Sequence, residues 1–75
     1  MTAYANLQGN SGVDEYEITR SAIKVKFIDS TDVYVYSHTR PGKDHVDEMK
    51  RRAQAGSGLA TYISRHIREN YDHKE

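Results

Sequence analysis

Five basic side chains, Lys50, Arg51, Arg52, Arg65 and Arg68, stand between Met49 and Glu69 with no acid among them. Clustered cations of this kind neutralise phosphates, and aromatic rings beside them add base stacking, the pairing that binds single-stranded nucleic acid. Tyr34 and Tyr36 are the candidate rings, two residues apart on one predicted strand, with Lys24 and Lys26 nearby. The competing account is structural. Asp47 and Arg51, Glu48 and Arg52, Arg65 and Glu69, and Arg68 and Asp72 all sit at helical i, i+4 spacing, so the same cations can be ion-paired, solvated helix faces.

Other chemistries find less support. His38, His45, His66 and His73 are scattered, and His45-x-x-Glu48 is a lone i, i+3 pair, which gives no expectation of a metal or other cofactor. His66 falls on a predicted apolar stripe and reads as a core or rim histidine. Ser57, Ser64 and Thr39 lie in no nucleophile elbow, and no paired-acid arrangement is present, so no catalytic residue is assigned and an enzyme is not expected. Gly56-Ser57-Gly58 lacks the Lys-Ser/Thr ending of a phosphate loop and follows a helix pattern; a helix stop explains it better.

The chain has 75 residues, 36% of them hydrophobic and 29% charged, with eleven basic and eleven acidic side chains. Zero formal charge removes long-range attraction to polyanions, so nucleic-acid contact requires a local patch. A chain of this length accommodates one small core without a walled active-site cavity. There is no cysteine, hence no disulfide framework or thiolate chemistry. No apolar run reaches the ~20 residues of a membrane helix and no signal-peptide pattern opens the sequence, which together suggest a cytoplasmic protein.

These candidates are positioned by a simple order of elements. Residues 1–12 are polar and small, without period, and read as a flexible lead-in to a single domain over 13–72, with 73–75 a frayed tail. Val13 to Ile18, Ala22 to Ile28 and Val33 to Tyr36 alternate β-branched or aromatic residues with polar ones and predict three antiparallel strands in a meander. The Asp29-Ser30-Thr31-Asp32 link favours an even loop, pairing Ile28 with Val33, Phe27 with Tyr34 and Val25 with Tyr36. That parity puts the tyrosines on the core face and Lys24, Lys26, Val33 and Val35 on the other. An odd loop would reverse it and expose the tyrosines as a stacking pair.

Asp44 is placed to cap a helix whose stripe is Val46, Met49 and Ala53 and which Gly56 ends. A second helix from Ser57 carries Leu59, Tyr62, Ile63, His66, Ile67 and Tyr71 on one stripe. The expected fold class is α+β: a β-β-β-α-α chain with both helices on one face of the sheet.

In this arrangement the Ile23-x-Val25-x-Phe27 strand, Tyr34-x-Tyr36, the small-residue run Gly56-x-Gly58-x-Ala60 and the final helix ending Ile67-Arg68 resemble a KTSC-type domain from about Val13 to Tyr71. Where many members have Ala-x-Ser-x-Gly before an aromatic-Phe-Asn, this chain keeps small size but not chemistry, with Tyr62-Ile63-Ser64 following. The family occurs as small stand-alone bacterial proteins and at the C-terminus of some lysyl-tRNA synthetases. The resemblance implies an uncharacterised binding module with RNA as a partner, and brings no catalytic residues. The alternative is a protein-interaction module that docks, or pairs with its own copy, through a sheet edge or the face bearing Lys24, Lys26, Val33 and Val35. The sequence leaves the oligomeric state open.

Overall fold

The computed structural model of the chain describes residues 1–7, 9 and 11–75. It is an α+β fold in which one antiparallel sheet of five strands, in the order β1-β2-β3-β4-β5, carries two helices. The three predicted strands are β2 (Val13–Ile18), β3 (Ala22–Phe27) and β4 (Val33–Ser37). Two short strands extend the meander. β1 (Thr2–Ala3) pairs with Glu15 and Tyr16, and β5 (His73–Lys74) pairs with Tyr34 and Val35.

The lead-in and tail therefore differ from their expected form. Thr2 and Ala3 are ladder residues, Tyr4 beyond them is buried, and the Leu7 N–H donates to the Gly56 carbonyl at 2.8 Å. Gln8 and Asn10 of the lead-in lie outside the described residues. At the other end Val33 and Glu75 exchange two backbone hydrogen bonds, at 3.0 and 2.7 Å. The physical reason is the same at both ends: an unpaired edge of the meander offers a row of N–H and C=O groups, and the terminal segments satisfy them.

The predicted parity of the β3–β4 pairing is correct and its register is not. Lys26 faces Val33, Val25 faces Tyr34 and Ile23 faces Tyr36, so the closing pair encloses six residues instead of two or four. Shifting by two residues leaves every side chain on its expected face. Tyr34 and Tyr36 thus share a face with Ile23, Val25 and Phe27. The Asp29–Asp32 link is drawn into a longer loop in which Ser30 Oγ accepts the Asp32 N–H at 3.0 Å.

α1 (Lys43–Ala55) buries the expected stripe of Val46, Met49 and Ala53 against Ile23, Val25 and Tyr36. Gly42, not Asp44, is its N-cap, and Asp44 instead lies in the first turn, where its charge suits the helix dipole. Gly56 adopts the left-handed conformation at φ 72°. Its N–H reaches the Ala53 carbonyl and the Ser57 N–H reaches that of Arg52, a complete Schellman stop.

α2 (Leu59–Tyr62) follows after Gly58, also left-handed, and continues as a π-helical turn over Ile63–Ile67. The wider turn changes which residues face inward. Leu59, Ile63 and Ile67, four apart, are all buried, Tyr62 is half-buried, and His66 is exposed, which corrects its expected place in the core or rim. The turn ends where the Arg68 N–H donates to the Ile63 carbonyl and Arg68 itself takes a positive φ of 53°. Among the described residues no helix is long and apolar enough to cross a membrane.

Candidate nucleic-acid interface

The five basic residues part company in three dimensions. The Lys50 ammonium donates to the carbonyls of Thr19, at 2.8 Å, and Arg20, at 3.3 Å, and so ties α1 to the β2–β3 turn. Arg68 stands at the far end of the π turn. Arg51 and Arg52, in contrast, line an open cleft of about 450 Å³ together with Ala55, Ser57, Gly58 and Thr61. Arg65, exposed and four residues beyond Thr61, extends the same helix face.

Local structure makes this cleft. The Schellman stop at Gly56 and the left-handed Gly58 end α1 and begin α2 within three residues, so the last turn of α1 and the first of α2 line the cleft together. Ser57 and Thr61 supply hydroxyls there, each able to donate to an anion. Arg52 forms the hinge of the site: its Nε donates to Glu48 at 2.6 Å, its Nη1 to the Gly58 carbonyl at 3.2 Å, and its guanidinium lies 4.8 Å from the centre of the Tyr62 ring.

Glu48 is the one carboxylate in this group. It accepts from both Arg51 nitrogens that face it as well as from Arg52, and these hydrogen bonds, those of Arg51 first, hold its carboxyl at about 2, below its ordinary value. The predicted Glu48 to Arg52 pair is present. Asp47 instead takes Lys43, at 2.6 Å, and among the described residues Arg65 and Arg68 make no ion pair. Helix pairing therefore accounts for two of the five basic residues, Arg51 and Arg52, and Arg65 is exposed.

A second cluster adjoins the cleft through Tyr62. His45 Nδ1 lies 2.7 Å from the Tyr62 hydroxyl, and the His66 ring packs against Tyr62 with centroids 4.9 Å apart. The apolar stripe in the sequence points His66 inward and so hides this cluster; its signal is the i, i+4 spacing of the two rings. With Glu48 held by arginines and His45 by Tyr62, the His45-x-x-Glu48 pair is spent, and among the described residues no three His, Cys, Asp or Glu side chains converge as metal ligands would.

Tyr34 and Tyr36 are not available as a stacking pair. Tyr36 is 1% exposed, and burial pushes its phenol well above the ordinary tyrosine range. Tyr34 is half-buried in an edge-to-face ladder, 5.4 Å from Phe27 and 4.9 Å from Tyr71, with the Lys74 ammonium over its ring at 5.2 Å. The even loop parity is the cause.

The opposite sheet face, proposed above for protein docking, is laced with charge. Glu15 faces Lys26 and Glu17 faces Lys24 across the ladder, while Lys24 and Lys26 pair with Glu75 and Asp14 at 3.2 and 3.3 Å. Val33 is half-buried and Val35 is 4% exposed, so neither valine offers an apolar anchor. The sheet edges are strands of two residues each, too short for an extended augmenting partner.

No family model, curated protein or solved structure matches the chain.

Proposed function

We propose that this protein is a small non-enzymatic binding module, of the KTSC type its motifs resemble, that contacts the phosphates of RNA or single-stranded DNA through the α1–α2 cleft. The observation that carries this reading is that Arg51, Arg52, Ser57 and Thr61 together line one open cleft. Charged donors and hydroxyls arranged about a solvent-open depression match a phosphodiester, which brings one negative charge and two free oxygens per contact.

The charge balance sets the strength. Arg51, Arg52 and Arg65 against Glu48 leave two net positive charges on this face, and the chain as a whole contributes no steering field. Binding is accordingly weak, with a slope of log affinity on log salt of about −1.4 for two single-strand phosphates. Anisotropy of a labelled uridine octamer, read from low to moderate salt, tests it. A slope near that value that flattens in Arg52→Ala supports the reading, and absence of binding at low salt refutes it.

A further inference from the structure

The cleft supplies phosphate contacts, and sequence-tolerant binding of single strands also uses aromatic side chains on which unpaired bases stack. Tyr34 and Tyr36 are excluded from that role by packing. Resting on the reading above, we propose that His66, seated on Tyr62, is the base-stacking platform of the cleft, and that its ligand is an unpaired nucleobase whose backbone phosphate lies against Arg51, Arg52 and Thr61.

The placement follows from two parallel rows on one helix. Thr61 and Arg65 form a polar row; Tyr62 and His66, each one residue further on, form an aromatic row beside it. Successive positions on a helix project about 100° apart, so the two rows occupy adjoining faces, and Arg52, which lines the cleft and lies 4.8 Å from the centre of the Tyr62 ring, joins them. A strand whose phosphate lies at Arg52 therefore brings its base past the Tyr62 ring that Arg52 covers and onto the exposed ring of His66.

The rings are built for one accessible surface. Tyr62 is fixed from three sides: its hydroxyl by His45 at 2.7 Å, its ring by the Arg52 guanidinium at 4.8 Å and by the His66 ring at 4.9 Å. His66 is the outermost member, exposed, and held at an interplanar angle of 43° to Tyr62. A ring braced on one side and open on the other loses little side-chain freedom when a base covers it. Arg52 couples the two parts of the site, because the guanidinium that lines the cleft also packs on the ring that supports His66. The positive face of the cleft matches the anionic backbone that such a base carries.

The test compares octamers with and without bases. A uridine octamer, a deoxythymidine octamer and an abasic phosphodiester of equal length are titrated at low salt into the full chain, its His66→Ala variant and His66→Phe. His66 is exposed, so neither substitution threatens the fold. The expected result is that each base-bearing octamer binds about five-fold or more tightly than the abasic strand, that His66→Ala erases the difference, and that His66→Phe restores it. RNA and DNA arms behave alike because stacking and phosphate contact are common to both. Equal affinity of the unaltered chain for abasic and base-bearing strands overturns the platform while leaving phosphate contact standing. Failure of all three strands to bind overturns phosphate contact and the platform together.

Discussion

The Tyr4 hydroxyl oxygen accepts the backbone N–H of Leu59 at 3.3 Å across 55 residues of sequence. That bond fastens the N-terminal arm to the start of α2, one residue past Gly58 of the cleft, and it serves an N–H that the helix itself leaves unpaired. Tyr4→Phe removes one partner of a buried bond and is expected to lower stability by about 1–2 kcal/mol, whereas Tyr4→Ala also empties the ring's site and costs about 3–5 kcal/mol. Urea unfolding measures both, and equal midpoints for Tyr4→Ala and the unaltered chain would show that the arm is not part of the core.

Gly56 and Gly58, the left-handed glycines between the two helices, should respond differently to alanine. Each substitution carries roughly 1–2 kcal/mol for placing a side chain in that conformation. At Gly56 the new Cβ would also meet the Ala5 Cβ at 2.6 Å, a contact only backbone movement relieves, while at Gly58 the nearest atom is Arg52 Nη1 at 3.0 Å, the end of a flexible side chain. Gly56→Ala is therefore the more destabilising in urea. Gly58→Ala displaces Arg52 and shows mainly as weaker octamer binding.

Lys50 and Arg65 provide a double dissociation. Lys50 is committed to the Thr19 and Arg20 carbonyls, so Lys50→Met lowers the unfolding midpoint and leaves nucleic-acid affinity unchanged. Arg65 makes no ion pair among the described residues, so Arg65→Ala leaves the midpoint unchanged and reduces the salt slope by about 0.7. The reverse pattern would contradict the assignment of the two residues.

The pH dependence of stability has two limbs. Hydrogen bonds from Arg51 and then Arg52 hold Glu48 at about 2 against an ordinary 4.5, and Lys43 and Ser37 lower Asp47 and Asp72 in the same direction. A depressed folded-state value means the unfolded chain takes up protons first. That contribution is full above the ordinary carboxylate range and is lost as pH falls from 4.5 toward about 2. Tyr36 acts at the other end: burial raises its phenol above 10.0, so its contribution is full below that pH and is lost as pH rises beyond it. Urea midpoints across pH should show both limbs, with Glu48→Gln flattening the acid one and Tyr36→Phe the alkaline one.

Much of this architecture is legible in the residues, and the gaps have identifiable causes. Strong local periodicity located β2, β3, β4 and the Val46, Met49, Ala53 stripe, and the left-handed preference of glycine placed the stop at Gly56. Even loop parity buried Tyr36, although the loop is longer than a four-residue turn. β1 and β5 carry no local signal, because two-residue strands exist only through pairing with edges made elsewhere. The π turn over Ile63–Ile67 was invisible to a 3.6-residue period, and it is what moves His66 to the surface. Of the candidate site, Arg51, Arg52 and Arg65 are legible in the acid-free run of cations, but their separation from Lys50 and the company of Tyr62 and His66 depend on tertiary packing.

The claim that the α1–α2 cleft is a nucleic-acid surface is tested most directly by following every backbone amide of the labelled protein during titration with a short mixed-sequence RNA, at low and then moderate salt. The account predicts salt-sensitive shifts concentrated between Arg51 and His66, including Ser57 and Thr61, with the amides of Lys24, Lys26, Tyr34 and Tyr36 unmoved. Silence at low salt, or shifts centred on the outer sheet face instead, would contradict it.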